Sequence, residues 1–344
     1  ADVYMCDADG QGVVQLTRDN VAAVGPRWAP NGRDIYYTSF VQGYPTVVRL
    51  AVGGGRSTLA AFKGLNTGAA VSPDGSRVAL ILSYHGNPEL YSLALGSGLL
   101  TRLTETRNGV EASPCWSPDG RSIVFVSDIS KTPQLYIVDV ASKQARRLTY
   151  RGAENVNPDW SAKGKIVYAT KRGGAYQIAV ADPRAGDGAA ELITPPGDYE
   201  HPSWAPDGRH VVCSSRSSLY VLDTLGDPAV RLIHFAGNWI SPDWSERSKG
   251  SRSTHMHIRS VVVINVALMC ALAFMDTGCR TKAGGWRWPW QKDTSLVKDA
   301  DLAENTDVPS GIDSKTGELV SGERFENTCL PGQGNGAADN AWTL

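Results

Sequence analysis

Apolar and polar residues alternate over many short stretches of the chain, and these stretches recur at a regular spacing. Residues 122–128 (SIVFVSD) and 134–140 (QLYIVDV) are two clear examples. Alternation with a period of two is typical of a strand that has one buried face and one exposed face. Turn-forming sequences rich in Pro, Asp and Gly separate the stretches. The pattern therefore predicts an all-β protein built from short antiparallel strands.

One short motif recurs six times and sets the period of this pattern. It has the form Pro-x-Trp, followed in two repeats by Ser-Pro-Asp-Gly and in three others by a related turn sequence, and its anchor residues lie 40 to 45 residues apart: Trp28, Val71, Trp116, Trp160, Trp204 and Trp244. Each anchor is followed by two alternating strands, and several repeats end in Arg-Leu-Thr. Four short strands in a repeat of this length are typical of a β-propeller blade. The six anchors predict a six-bladed propeller over residues 1–246, with each Trp packed between neighbouring blades.

The two ends of this region are predicted to share the last blade. Residues 1–17 match the third and fourth strands of a repeat, while Trp244 ends the first strand of another. A shared blade would close the ring and cover the strand edges. Residues 1–246 leave that blade about one strand short. Residues 258–264, which are rich in β-branched side chains, are an alternative source of the missing strand.

The repeat P-x-W-S-P-D-G, the strand L-Y-x-x-D and the motif R-L-T together resemble the propellers of the TolB family of the Tol-Pal envelope system. The resemblance implies a non-catalytic, periplasmic protein–protein interaction module. It implies a Pal-like peptidoglycan-associated lipoprotein as partner, with other envelope proteins as further candidates. It also implies roles in cell-envelope integrity, outer-membrane constriction at division and protein import. Similar repeats occur in propellers attached to oligopeptidases, so a substrate-gating propeller that lacks its catalytic domain is the alternative.

A different kind of sequence follows the propeller region. Residues 247–279 contain a short basic stretch and then a 15-residue apolar run, 261–275, that is interrupted only by Asn265. A membrane span needs about 20 such residues, so the run is predicted to be a short apolar helix of the signal-peptide type. The sequence Asp276-Thr277-Gly278-Cys279 that follows resembles a lipoprotein signal, with Cys279 as the candidate lipidation site. An uncleaved amphiphilic helix is the alternative.

Residues 280–344 are predicted to be a disordered linker. They are polar and contain few large apolar side chains. Together with the preceding segment they resemble the start of a Pal-type lipoprotein. The cluster Trp286-Arg287-Trp288-Pro289-Trp290 is an exception, because tryptophans favour the interface between membrane and water. Membrane association is therefore predicted for this C-terminal segment alone.

Composition and motif searches argue against several other classes of protein. With 34 basic and 35 acidic residues the formal net charge is −1, which argues against nucleic-acid binding through bulk charge. The 344 residues contain neither the nucleophile motif G-x-S-x-G nor the phosphate loop G-x-x-x-x-G-K-[ST]. The six cysteines include no C-x-x-C pair. No catalytic residue, resident metal or cofactor is predicted, although acidic side chains at a channel mouth could hold a divalent cation.

The loops that lead into the first strand of each blade are predicted to surround one mouth of the channel. They span residues 21–25, 65–69, 109–113, 154–157, 198–201 and 237–241. The resemblance implies that the loops at 65–69 and 109–113 lie on the face that receives the lipoprotein partner. The predicted partner-binding residues are Asn66, Thr67, Gly68, Glu111, Ala112, Glu154, Asn155, Asn157, Glu200, His201 and Asn238. A rim that is merely solvated is the alternative.

Overall fold

The computed structural model describes residues 1–185, 189–226, 230–231, 238–245, 259–264, 279–280 and 286–287. Strands dominate these residues, which confirms the all-β prediction. The predicted linker at 280–344 lies almost entirely outside the described residues. Of the predicted apolar helix at 261–275, residues 261–264 lie in a strand instead, and the remainder is outside the described residues.

The strands are numbered in chain order. The first ten are β1 Asp2–Asp7, β2 Val14–Gln15, β3 Ala23–Trp28, β4 Asp34–Ser39, β5 Thr46–Ala51, β6 Arg56–Ala60, β7 Asn66–Val71, β8 Arg77–Leu82, β9 Glu89–Ala94 and β10 Leu100–Arg102. The next eight are β11 Glu111–Trp116, β12 Ser122–Ser127, β13 Gln134–Asp139, β14 Ala145–Arg147, β15 Asn155–Trp160, β16 Ile166–Arg172, β17 Ala175–Ala181 and β18 Glu191–Leu192. The last eight are β19 Tyr199–Trp204, β20 His210–Ser215, β21 Ser218–Asp223, β22 Val230–Arg231, β23 Trp239–Trp244, β24 Arg259–Ile264, β25 Cys279–Arg280 and β26 Trp286–Arg287.

Five blades are each made of four consecutive antiparallel strands, one blade fewer than the sequence predicts. Blade 1 is β3–β6, blade 2 is β7–β10, blade 3 is β11–β14, blade 4 is β15–β18 and blade 5 is β19–β22. Within each blade the strand order follows the chain, so every connection is a short turn between neighbours. This architecture confirms a β-propeller with repeats of the predicted length.

The remaining long strands form one sheet from the two ends of the described propeller, in the order β2-β1-β24-β23. Strand β24 pairs with β1 from Asp2↔Ile264 to Asp7↔Arg259, and it pairs with β23 on its other side. Residues 259–264 thus supply the strand that residues 1–246 lack, and the sheet extends past the predicted boundary at residue 246. Strands β25 and β26 pair only with each other among the described residues.

The Ser-Pro-Asp-Gly motif forms the turn between the first and second strands of a blade. In blade 3 the Asp119 carboxylate accepts hydrogen bonds from the Ser117 hydroxyl at 2.6 Å and from the Arg121 amide at 3.1 Å. Gly120 has φ of +68°, a left-handed conformation that favours glycine. The equivalent Asp74 in blade 2 is bound by serine hydroxyls, which lower its pKa to about 2. The motif therefore fixes a tight turn, as the sequence predicts.

The hydrophobic core lies between neighbouring sheets. Trp116 of blade 3 is buried against Ile81 and Leu90 of blade 2 as well as Ile123 of its own blade. Its indole Nε1 donates a hydrogen bond to the Ala70 carbonyl of blade 2 at 2.9 Å. The anchor tryptophan thus joins two blades through burial and a hydrogen bond, which confirms its predicted packing role.

The first strands of the sheets form the inner ring. Each contacts its neighbours in the order β3, β7, β11, β15, β19, β23, and β23 contacts β3. All of them run in the same sense, from an entrance loop toward the anchor position. We call the end where they begin the mouth face; because the strands alternate in direction, the turns between second and third strands also lie there. The opposite end, with the Ser-Pro-Asp-Gly turns, is the anchor face.

Candidate partner-binding site at the mouth of the propeller

Each inner strand contains an irregularity at the same repeat position. The pairing register between the first and second strands shifts in all six sheets. At this point the backbone adopts a left-handed φ of 47° to 70° at Gly25, Gly68, Ser113, Asn157, His201 and Ser241. Four of these residues are not glycine, so the conformation is imposed at an energetic cost. Such bulges bend a strand and redirect its side chains, and here they shape the mouth.

Three of the predicted binding residues have buried side chains that hold the entrance loops. The Asn66 amide accepts a hydrogen bond from the Phe62 amide at 2.8 Å and donates to the carbonyls of Phe62 and Gly64. The Asn155 amide donates to the Gln134 side chain at 2.8 Å and to the Arg151 carbonyl at 2.7 Å. These groups are directed at the protein interior, so they shape the loops and do not present themselves to a partner.

Glu111, the third buried residue, lies beside a second buried carboxylate. It accepts a hydrogen bond from the Ser127 hydroxyl at 3.1 Å, and the Thr106 hydroxyl lies 3.4 Å from it and 3.1 Å from Glu89. Burial and the nearby charge of Glu89 raise the pKa of Glu111 to about 8. At the equivalent place between blades 3 and 4 the two residues are Asn155 and Gln134, which carry no charge.

The other predicted residues are partly exposed at the mouth. Thr67, Gly68, Ala112, Asn157 and Asn238 belong to this group, as do Glu154, Glu200 and His201. Glu154 is bound by the Lys171 ammonium at 3.0 Å and by the Tyr176 hydroxyl. The His201 ring lies 3.1 Å from the Ser214 hydroxyl. These side chains come from five neighbouring inner strands and their entrance loops, all at the mouth face, and their role in partner binding stays a prediction.

A polar network at the far end of the inner strands was not predicted. The Arg27 guanidinium lies 2.9 Å from the Asp243 carboxylate and 3.1 Å from that of Asp159. Burial alone would lower the pKa of Arg27, but these two carboxylates raise it. Burial raises the pKa of Asp243 to about 6, against the opposing effect of Arg27. The three charges cross the ring between blade 1, blade 4 and the sheet of the chain ends.

The same network links three of the sheets to the next one through the backbone. Asp159 accepts the Trp204 amide and Asp243 accepts the Trp28 amide, each at 2.7 Å. Cys115 accepts the Trp160 amide at 3.3 Å in the same manner. All three residues are the variable position of Pro-x-Trp. The available signal was a polar or charged residue between the Pro and the Trp of the repeated motif.

Neither a metal-ligand cluster of three or more residues nor a membrane-spanning helix is present among the described residues. No group of three or more His, Cys, Asp or Glu side chains in the described part of the chain could hold a metal ion. The predicted divalent cation at the mouth therefore stays a prediction. Within the same residues, no helix has the length and hydropathy needed to cross a membrane. Lipidation of Cys279 concerns a side chain outside this description and also stays a prediction.

Comparison with curated proteins identifies partial relatives. A stretch of 105 residues is 34% identical to the Tol-Pal system protein TolB of Desulfosudis oleivorans, covering 30% of this chain and 24% of that protein. A stretch of 113 residues is 36% identical to the TolB homolog of Chlorobium chlorochromatii, covering 33% of this chain and 25% of the relative. The chain thus spans about a quarter of the length of these relatives.

Solved structures extend the similarity to the whole propeller. The crystal structure of TolB from Acinetobacter baumannii is 28% identical, with a TM-score of 0.64 over 70% of this chain and 62% of that one. A putative TolB from Agrobacterium tumefaciens has the same fold, at 22% identity and a TM-score of 0.58, over 67% of this chain and 88% of that one. The family model of the TolB beta propeller domain matches residues 1–248, close to the predicted boundary at residue 246. The chain belongs to the TolB beta propeller domain family.

Proposed function

We propose that the chain is a non-catalytic, periplasmic interaction module of the Tol-Pal system that binds a Pal-like lipoprotein at its mouth face. The observation that carries the proposal is the contrast between buried loop-holding groups and a partly exposed rim on one face. Similarity to three proteins that are named TolB or TolB homolog, one of them a Tol-Pal system protein, supports the assignment to the Tol-Pal system. Roles in constriction at division and in protein import are part of the same proposal.

The buried residues change which side chains the proposal assigns to the partner. Asn66, Glu111 and Asn155 support the loops from inside. The proposed contact surface consists of the partly exposed residues Thr67, Gly68, Ala112, Asn157, Glu200, His201 and Asn238. Glu154, which is bound by Lys171, lies at the edge of this surface. A rigid rim of this kind lets a partner bind without first ordering the loops, which lowers the entropic cost of association.

We also propose that the sheet β2-β1-β24-β23 is the sixth blade and closes the ring. Its support is the contact of β23 with both β19 and β3, together with the bond from the Trp28 amide to Asp243. A closed ring would leave no exposed inner edge. A urea titration of the chain against a truncation at residue 246 tests this: loss of β24 is expected to destabilise the propeller, and an unchanged unfolding midpoint would contradict it.

The segment after the propeller has two competing uses. Strand β24 takes residues 261–264 from the apolar run that resembles a lipoprotein signal. A signal peptide that is cleaved before Cys279 could not remain in the sheet, so the two uses exclude each other. Mass spectrometry of the native protein distinguishes them. A single polypeptide supports the strand, while a separate product that begins at Met256 or at Cys279 supports the signal.

A binding experiment tests the proposed mouth surface. Thr67→Trp combined with Asn238→Trp adds bulk without charge at two partly exposed positions of the rim. The matched control, Thr58→Trp with Gln144→Trp, makes comparable changes at exposed positions away from the mouth. Titration calorimetry with the soluble domain of the cognate Pal-like lipoprotein is expected to show binding at least ~10-fold weaker for the first variant. Equal binding by both variants, or none by the unaltered chain, would contradict the proposal.

A further inference from the structure

Exposed cations are distributed over the entrance loops of the mouth face. Arg18, Lys63, Arg107 and Arg151 are exposed and lie in the loops that lead into blades 1, 2, 3 and 4. The loop into blade 5, residues 195–198, carries no cation and contains Asp198. Among these entrance loops the positive charge is therefore one-sided, although the net charge of the chain is only −1.

The cations are densest around blade 3, where they alternate with exposed apolar side chains. Arg107 lies in the entrance loop, Lys131 in the turn between β12 and β13, and Arg151 in the loop after β14. Ile129 and Tyr150, in the same segments, are 50% and 65% exposed. We call these five residues the blade-3 patch.

Backbone contacts make the three segments of this patch continuous. The Val110 amide donates to the Asp128 carboxylate at 2.8 Å, which joins the entrance loop to the turn. The Asn155 amide donates to the Pro133 carbonyl at 2.9 Å, which joins the turn to the next loop. The Tyr150 ring is held under the Arg147 guanidinium, 4.7 Å from the ring centroid. The aromatic side chain is thus ordered while most of its surface faces solvent.

Of the three carboxylates in these segments, two lie beside cations outside the patch and the third is half-buried. Asp128 is half-buried and binds the Val110 amide, Glu154 binds Lys171 and Tyr176, and Glu105 lies 3.6 Å from Arg102. Within the described residues, Arg107, Lys131 and Arg151 form no ion pair.

The anchor face of the same blade is different. There Arg121 and Lys143 lie in turns that also contain Asp119 and Asp139. Charges of both signs are interspersed in these turns, as is usual for a solvated surface. In the described segments of the blade-3 patch, three cations thus accompany one carboxylate that has no cation partner, Asp128, whereas these anchor-face turns carry two cations and two such carboxylates.

We propose that the blade-3 patch receives an acidic protein surface that also carries an apolar side chain for the space between Ile129 and Tyr150. The proposal rests on the proposed function, since it names the chemistry of the partner at that same face. Tyr and Arg side chains dominate the energetics of many protein interfaces. Complementary charge would raise the association rate and make the binding sensitive to salt. The patch adjoins the mouth residues, so one partner could cover both.

The test compares Arg107→Glu/Arg151→Glu with Arg121→Glu/Lys165→Glu, which changes the formal charge equally but on the anchor face. The probes are the soluble domain of the cognate Pal-like lipoprotein, a synthetic peptide of glutamate and leucine, and its lysine counterpart. Fluorescence anisotropy is measured at low and high salt, after urea unfolding has established that both variants fold. Only the mouth-face variant is expected to lose affinity, by at least ~10-fold at low salt.

The outcomes separate this inference from the proposed function. If the lipoprotein domain does not bind the unaltered chain, the proposed partner is wrong, and the peptides still decide the chemistry of the patch. Preference for the acidic peptide that disappears in Arg107→Glu/Arg151→Glu supports the patch. Equal binding of both peptides, or the same affinity in both variants, would overturn it. Binding to vesicles that contain anionic lipid, lost in the same variant, would overturn it in favour of a membrane surface.

Discussion

The two ends of the inner strands have different structural roles, although the same sequence repeat forms both. At the anchor end, Cys115, Asp159 and Asp243 each accept a tryptophan amide from the next sheet, and Arg27 joins two of the carboxylates. At the mouth end, the first residues of three inner strands, Asn66, Glu111 and Asn155, each bond to their own entrance loop. The contrast teaches that side chains at the anchor end join neighbouring sheets, whereas side chains at the mouth end hold the loops that present a surface.

The largest expected effect follows from removal of Arg27. Arg27→Met leaves the carboxylates of Asp159 and Asp243 largely buried without their cation, which should lower the free energy of unfolding by about 3 kcal/mol. Urea unfolding at pH 7 measures the loss. Arg27→Met/Asp159→Asn/Asp243→Asn removes the charges but keeps both acceptors for the tryptophan amides, so it should recover much of the stability. If the triple variant is no more stable than Arg27→Met, the buried charges of Asp159 and Asp243 do not cause the loss, and this account of the anchor-end network is wrong.

The second effect tests the mouth end through pH. The pKa of Glu111 is raised from 4.5 to about 8 in the folded state, so the stabilising protonated form is fully present below about pH 4.5. That contribution is lost as the pH rises through 8. Glu111→Gln should therefore raise the free energy of unfolding at pH 7 by about 3 kcal/mol, at roughly 1.4 kcal/mol for each pH unit between the unfolded pKa and pH 7. The slope of stability between pH 6 and 8 should become shallower.

Urea titrations of both proteins across this pH range provide the measurement. The contribution of Asp243, whose pKa is about 6, should remain in Glu111→Gln and be visible below pH 6. Parallel pH profiles for the two proteins would show that Glu111 ionises normally and would remove the electrostatic contrast between the two ends.

A smaller effect concerns the bulge of the inner strands. Gly68 has φ of +70°, and a Cβ there would lie 3.0 Å from Pro114 Cδ and 3.1 Å from Ile81 Cγ1. Gly68→Ala should cost about 2 kcal/mol, from the left-handed backbone and the tight contacts. Gly53→Ala is the control, because that glycine has no left-handed φ and open space around it. Equal thermal stability of the two variants would count against a required bulge at blade 2.

The smallest effect tests the role of the Arg-Leu-Thr motif. The Thr149 hydroxyl accepts the Leu135 amide at 3.0 Å and donates to the Gln134 side chain at 2.9 Å, which in turn accepts from Asn155. Thr149→Val should lower the free energy of unfolding by about 1 kcal/mol. Thr101→Val, at a partly exposed strand position, should leave it unchanged. An unchanged free energy of unfolding in Thr149→Val would show that the Arg-Leu-Thr motif does not support the mouth loops.

Much of the fold follows from the sequence because the repeat is local and periodic. The Pro-x-Trp spacing and the alternation of 122–128 determine the blades, and no distant contact is needed to detect them. The strand at 259–264 was harder, because a short apolar run with β-branched residues fits a strand or a helix until its pairing partners β1 and β23 are known.

The site was only partly predictable, for a related reason. Polar residues at the start of an inner strand indicate a mouth, and Thr67, Asn157 and His201 do lie partly exposed there. The burial of Asn155 and Glu111 depends on Gln134 and Glu89 of the preceding blade, which no local pattern reveals. The bridge from Arg27 to Asp159 joins residues 132 positions apart, so it emerges only when the inner strands are arranged around a common axis.

Hydrogen–deuterium exchange of the chain with and without the soluble domain of the cognate Pal-like lipoprotein tests the central claim most directly. The account predicts slower exchange in the entrance loops at 65–69, 109–113, 154–157 and 198–201 when the partner is present. It predicts no change in the anchor-face turns at 72–76, 117–121 and 161–165. Protection confined to the anchor face, or no protection in the entrance loops, would contradict it.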